Sequence, residues 1–283
     1  MAIATIASRS GSSRPLSVRI IKIVVLVLAV GFFVLPILYL GIMSVKSPDD
    51  ILSTRILPTR LAWENWTAAF TEAPIFLYLR NSLIVAGGAT LVALAIAIPA
   101  NYAMSRLGTG GKRMMSVIVS AYIAPPIVAI VPLFLLIRSV GLMDSLIGMV
   151  LIEGLLVTPV AVWLLDTFFS AVPGEIDEAA QIDGCGPIAT LFRIVLPLVA
   201  PGIVAVAIVA FILVYNDFLI PLMLSYGPGT QTLPVGLSLL QGGREVVFGQ
   251  MAAASLTGMI PVYLLAVFMQ RWLIGGLTQG SIK

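Results

Sequence analysis

Apolar positions in this chain gather into long blocks, and polar positions are confined to the short stretches between them. Six blocks stand out: Ile20–Val45, Ser82–Met104, Met115–Ile137, Leu146–Phe168, Leu198–Leu224 and Met251–Leu273. Each reaches the length of about 20 residues that crosses the hydrocarbon core of a bilayer, whereas apolar helices buried in soluble domains need only about 10–14. A segment in lipid must satisfy its own backbone hydrogen bonds, so each block is predicted to be helical. Pro36, Pro99, Pro125, Pro126, Pro159, Pro201, Pro221 and Pro261 fall in or near these blocks. Neighbouring helices in a bundle cover the carbonyls that proline frees, so kinks are expected there rather than helix ends. The pattern predicts an all-α, polytopic membrane protein with six transmembrane helices.

Composition supports that reading. Hydrophobic residues make up 59% of the 283 positions and charged residues 10%, against about 25% charged in soluble domains. The net charge of +3 comes from Lys and Arg that flank the apolar blocks, as membrane topology requires. They form no patch for nucleic acid, so lipid is the expected surroundings and nucleic acid is not an expected partner. With the N-terminus inside, Arg9, Arg14, Arg19, Lys22, Arg106, Lys112, Arg113, Arg193, Arg271 and Lys283 lie on the cytoplasmic side. Lys46, Arg55, Arg60, Arg80, Arg138 and Arg244 then lie outside. Six spans return the C-terminus to the cytoplasm. The first block is too long for a signal-peptide core and no A-x-A-like site follows it, so it is read as a retained anchor.

The chain divides into a tail (1–19), a first helix with an outer loop (20–81), a core (82–273) and a C-terminal tail (274–283). The outer loop from Lys46 to Asn81 carries Trp63, Trp66, Phe70, Phe76 and Tyr78, aromatic residues that suit a lipid interface. The sequence holds no histidine and one cysteine, Cys185. That excludes an intrachain disulfide, histidine acid–base chemistry and the usual zinc sites. No catalytic residue and no metal site is expected.

One loop inside the core, 170–197, departs from simple connection. Glu175, Asp177 and Glu178 open a helix-forming stretch at its positive dipole end. Asp183-Gly184 supplies a turn, since glycine takes the left-handed conformation that ends helices. Pro187 suits the first position of a second helix, which Pro197 is expected to stop. The sequence thus predicts a short helix–turn–helix with a charged leading edge and an apolar back. A helix resting on lipid is one reading. Surface helices of that kind are rich in Lys and Arg, whereas this one leads with carboxylates, which favours docking on a basic protein surface.

Glu178-Ala179-Ala180, Gly184, Ile194, Leu196 and Pro197 resemble the E-A-A-x3-G-x9-I-x-L-P loop of ABC importer permeases, matching at every spacing. The resemblance implies that this loop is the coupling helix, seated in a cleft of the ATPase subunit, with Glu178 a candidate for a polar contact there and Gly184 permitting the turn. No phosphate-binding G-x4-G-K-[ST] loop is present; Gly110-Gly111-Lys112-Arg113 lacks the hydroxyl residue and the spaced first glycine. The chain is therefore expected to bind no cofactor, with ATP and Mg held by the partner ATPase.

The resemblance extends from the first span to the end of the chain. Arg80–Ala86 (RNSLIVA), Tyr215–Leu222 (YNDFLIPL), Thr232–Leu237 (TLPVGL) and Gln270–Lys283 (QRWLIGGLTQGSIK) look like the smaller permease subunit of maltose-type carbohydrate importers. This implies the type I importer fold, a second homologous permease as partner, and an extracytoplasmic solute-binding protein. By the same resemblance the loop holding Gly227, Pro228, Gly229, Thr230 and Gln231 reaches the binding protein, although on residue types alone it is a turn-rich connector. Gly276–Gly280 similarly resembles a segment lodged against the ATPase dimer. Polar residues within the blocks, Asn101, Glu153, Asn216 and Asp217, mark pathways by default. Tyr215, Asn216 and Asp217 are candidate pathway residues; a structural role for Asp217, pairing with the second permease or capping a kink before Pro221, stands equally open, and Glu153 is read as structural. A permease for a polyamine or another non-carbohydrate solute shares the loop pattern. A secondary transporter shares the spans but not the loop.

Overall fold

The computed structural model describes residues 16–51, 53–123, 126–240 and 247–279, the last nine of these by backbone alone. Expectations that rest on the tail before residue 16, Pro125, Arg244 and Gly280 onward lie outside the described residues. So do those that rest on the side chains of Arg19, Lys112 and Arg271. Every regular element among the described residues is helical: α1 Leu16–Ser44, α2 Pro48–Ile51, α3 Glu64–Thr71, α4 Ile75–Arg106, α5 Gly111–Ile123, α6 Pro126–Ser139 and α7 Leu146–Ala171. After these come α8 Glu175–Ile182, α9 Pro187–Thr190, a π-helical turn Leu191–Val195, α10 Leu196–Tyr215, α11 Leu219–Leu224, α12 Leu233–Leu239 and α13 Phe248–Gln279.

Among the described residues five helices are long and apolar enough to cross a membrane, six if the bent pair α5 and α6 is counted as one span. Pro36, Pro99, Pro159, Pro201 and Pro261 are carried inside helices, as lipid-embedded bundles allow. Two segments differ from expectation. Met115–Ile137 is not one span but two helices meeting at 91° across the proline pair. Leu198–Leu224 is not continuous either: α10 stops at Tyr215, and α11 begins only at Leu219. An apolar count cannot register the interruption, because Asn216-Asp217 is a short polar pair inside a long greasy run.

The core is built on α4 and α7, with α10 packed on both and α13 behind α10; α1 lies outside against α13. Small residues let α4 and α7 approach. Ala86, Ala89, Ala93 and Ala97 recur at helical spacing on α4, all fully buried, and Gly154 of α7 sits over Val92 and the carbonyl of Ala89. Apolar lipid offers little drive for helix association, so close backbone packing of this kind supplies it. Asn101 adds one interhelical hydrogen bond, its Nδ2 donating to the carbonyl of Val162 at 3.1 Å. Asn101 thus ties α4 to α7. α1 carries no buried side chain in its most apolar window and exposes Phe32 and Phe33, as a peripheral lipid-facing helix does.

The loop after α1 folds on buried Lys46. Its Nζ donates to the carbonyls of Arg55 (2.5 Å) and Asp50 (3.4 Å), so a charge that reads as a topology marker is an internal staple. Trp66 turns inward and donates to Ser44 Oγ at 3.3 Å, while Trp63 stays exposed.

Candidate functional site

Two loops of functional interest sit at opposite ends of α4. Asn81 and Arg106, one near each end of that helix, lie about 37 Å apart along its axis at roughly 1.5 Å per residue.

At the Arg106 end stands the helix–turn–helix, α8 and α9. Glu175, Asp177 and Glu178 occupy the first turn of α8. Its C-terminus is closed by paired bonds, Gly184 N–H to the Gln181 carbonyl at 3.0 Å and Cys185 N–H to the Ala180 carbonyl at 2.9 Å. That pattern requires a left-handed residue after the cap, and Gly184 supplies it with φ +81°. Glu178 and Ala179 are exposed, Ala180 is buried, Ile194 and Leu196 are half-buried, and Pro197 is exposed. All seven pattern residues therefore belong to one hairpin and the helix that leaves it.

Pro197 does not stop the second helix. The chain is helical from Pro187 to Tyr215. The π-helical turn before Pro197, closed by Leu196 N–H to the Leu191 carbonyl, widens the helix where proline would otherwise collide with the preceding turn. The hairpin is thus continuous with the span that follows it. Three large apolar side chains project from it: Ile182 is 88% exposed, Ile188 76% and Phe192 59%.

Only Asp177 and Ala180 of α8 are buried. Asp177 Oδ2 lies 3.2 Å from Arg106 Nε, an ion pair in contact but without aligned hydrogen-bond geometry. Tyr102 donates its hydroxyl to Asp177 Oδ1 at 3.3 Å. Arg106 also donates to the carbonyls of Phe169 (3.2 Å) and Val172 (2.5 Å) at the end of α7. Sequence reading missed this cluster, because Arg106 looked like one more inside-positive charge and Asp177 like one of three loop carboxylates.

At the Asn81 end, the turn at 226–231 is tied down from three sides. Asn81 Nδ2 donates to the carbonyls of Gly229 (3.1 Å) and Gln231 (2.9 Å), with a longer contact to Pro228 (3.3 Å). Ser82 Oγ accepts from Leu233 N–H at 2.8 Å. Asp144, which has a left-handed φ of +51°, accepts from Tyr226 N–H at 2.8 Å and from the Thr230 hydroxyl. Pro228 and Gly229 form the exposed tip, Gly227 and Thr230 are half-buried, and Gln231 is buried beneath it.

Asn81→Ala leaves these carbonyls unsatisfied, at a cost of about 1–3 kcal/mol. Hydrogen exchange at residues 229–232 is expected to quicken by about tenfold or more, and an unchanged rate would contradict the tether. Asp144 titrates below its usual value of 3.8, held there first by the Thr230 hydroxyl and then by the Tyr226 N–H. A depressed carboxylate holds its bonds fully above the unfolded value and loses them as pH falls through the folded one. Exchange of the Tyr226 amide is therefore expected to follow only intrinsic chemistry from about pH 5 to 8, with added opening confined to stronger acid.

The three candidate pathway residues separate. Tyr215 is buried and donates its hydroxyl to the Gly258 carbonyl at 2.7 Å, bolting α10 to α13. Tyr215 and Asn216 line a cavity of about 610 Å³ with Ser255, Met259, Tyr263 and Leu237. Asp217 lines a different cavity, of about 680 Å³, with Tyr122, Pro132 and Leu213. Its Oδ1 accepts from Leu219 N–H at 2.8 Å, capping the break, and it faces Glu153 of α7. No group of His, Cys, Asp and Glu fit for a metal ion occurs among the described residues.

The sequence profile of the binding-protein-dependent transport system inner membrane component matches residues 89–278. The chain is 32% identical to a sulfoquinovosyl glycerol transport system permease protein of Agrobacterium fabrum, covering 99% of both chains. It is 30% identical to a trehalose transport system permease protein of Mycobacterium tuberculosis, covering 90% of this chain and 94% of that one. A trehalose/maltose transport system permease protein of Thermococcus litoralis is also 30% identical, over 94% and 97%. In fold, the chain superposes with a TM-score of 0.71 and 22% identity on a chain of a bacterial ABC transporter involved in import of the acidic polysaccharide alginate, covering 95% of this chain and 99% of that one. The importer-permease fold expected from the loop pattern is the one observed, and the chain belongs to the family of binding-protein-dependent transport system inner membrane components.

Proposed function

We propose that this chain is one permease subunit of an ATP-driven importer for a carbohydrate or a related polyol or glycoside. The observation that carries the ATP-driven part is the hairpin at the end of the bundle. It offers Ile182, Ile188 and Phe192 to the surroundings next to the exposed carboxylate of Glu178. Apolar side chains exposed beside charge on a projecting hairpin mark a protein contact. An ABC ATPase dimer is the partner that fits, with ATP and Mg held on that dimer and no cofactor on this chain. Glu178 makes the polar contact, and Ala179, Ala180, Gly184, Ile194, Leu196 and Pro197 keep the hairpin's shape.

The carbohydrate class is supported by the relatives, whose names specify a sulfoquinovosyl glycerol, trehalose and maltose. The hairpin end faces the cytoplasm of a bacterial cell, with both termini on that side. The turn at Gly227–Thr230 faces an extracytoplasmic solute-binding protein, with Gln231 beneath it as support. A second, homologous permease completes the pathway, to which this chain contributes the cavity lined by Tyr215 and Asn216; Asp217 serves the helix break.

The test is recovery of the ATPase with affinity-tagged permease from membranes. Ile182→Asp is expected to reduce recovery by about tenfold or more, the effect of losing an interface anchor. Recovery equal to wild type with both Ile182→Asp and Ile188→Asp would contradict the docking role.

A further inference from the structure

We infer that α4 is a rigid link between the two loops, and that the Arg106–Asp177 contact is the joint through which ATPase-side motion enters it. The inference rests on the proposed docking role of α8 and assigns it a route. α8 is flanked by Gly174 and Gly184, two backbone positions at which it can swivel. Of its side chains only Asp177 and Ala180 are buried, so covalent connection alone would let a push on α8 be absorbed at the glycines.

Asp177 removes that freedom. It meets Arg106 at 3.2 Å and the Tyr102 hydroxyl at 3.3 Å, both on α4. Both charged side chains are only 12% exposed, so solvent screens the contact far less than it screens a surface pair. The same guanidinium grips the carbonyls of Phe169 and Val172, which binds the end of α7 into the joint. At its other end α4 holds the 226–233 turn through Asn81 and Ser82. Between the two ends, Ala86, Ala89, Ala93 and Ala97 are fully buried and the helix runs unbroken through Pro99; tightly packed interiors compress little and pass displacement on. One helix therefore touches both the loop proposed to meet the ATPase and the loop proposed to meet the binding protein. Asp177 and Arg106 are positioning residues in this scheme, acting through α4.

Demonstrating such a route requires a coupling measurement rather than proximity. The assembled transporter, in lipid nanodiscs, is followed by hydrogen exchange with and without ATP under magnesium-free conditions that permit closure but not hydrolysis. In the wild type, ATP is expected to change exchange at both α8 and residues 226–232. In Asp177→Ala, α8 still responds, while the response at 226–232 shrinks by roughly tenfold, within the usual range of coupling strengths. Asp177→Glu keeps the charge and restores much of the distant response. Should Asp177→Ala fail to assemble, Asp177→Asn, which keeps the shape but not the charge, carries the same comparison. An undiminished response at 226–232 in the assembled variant overturns the joint. Absence of any α8 response in the wild type is a separate outcome, which removes the docking role and the joint with it.

Discussion

Gly184→Val is expected to abolish productive coupling while the protein still inserts and accumulates in the membrane. A Cβ placed on Gly184 meets nothing within 4 Å, so crowding is not the cause. The cause is backbone conformation: φ is +81°, and L-residues in the left-handed region lose roughly 1–2 kcal/mol, with β-branched side chains the worst tolerated. The helix end that Gly184 closes through the Gln181 and Ala180 carbonyls would open or reorient, displacing Ile182 and Glu178. Gly184→Asn is expected to retain most function, because asparagine visits this conformation. Recovery of the ATPase with each variant, and its stimulation by loaded binding protein, is the measurement. Full stimulation with valine would contradict the role given to the turn.

Gly154→Ile is expected to prevent accumulation of folded protein altogether. A Cβ at position 154 would lie 2.7 Å from Val92 Cβ and 3.1 Å from the Ala89 carbonyl. Neither can withdraw, since one is a β-branched side chain and the other is helix backbone. Overpacking a tight core costs about 1–3 kcal/mol and sometimes more, and here it falls on the α4–α7 contact around which α10 is assembled. The check is the monodisperse fraction in size-exclusion chromatography after detergent extraction. Gly87→Ile on α4 is the control, because a Cβ there meets nothing within 4 Å. Equal recovery of the two variants would mean that close approach of α4 and α7 is not essential.

How far the sequence could be read follows from what each feature depends on. Spans depend on local apolarity, so four of the six blocks correspond to unbroken helices and a fifth to α10 with α11 after a break; the proline pair in the remaining one marked the place of its bend without revealing 91°. The start of α4 at Ile75 rather than Ser82 was hidden because Arg80 and Asn81 look like loop residues; Asn81 is polar in order to hold the carbonyls of a loop about 150 positions away. The hairpin was legible because its signals are local: carboxylates at a helix start, Asp-Gly at the turn and proline at the next helix. Continuation through Pro197 was not legible, since it needs a π-helical turn that no single residue type announces. The Arg106–Asp177 contact lay beyond reach for a different reason. It pairs two charges from separate helices, and a single sequence shows charges but not their partners. Lys46 makes the same point, as a flanking cation whose ammonium group serves the backbone of its own loop.

ATP-driven import is tested by uptake of a radiolabelled sugar into proteoliposomes containing this chain, the second permease, the ATPase and the binding protein loaded with that sugar. Accumulation is expected to require ATP at the hairpin side and to continue when a protonophore collapses the proton gradient. Accumulation without ATP or without the ATPase, or accumulation abolished by the protonophore alone, would contradict it.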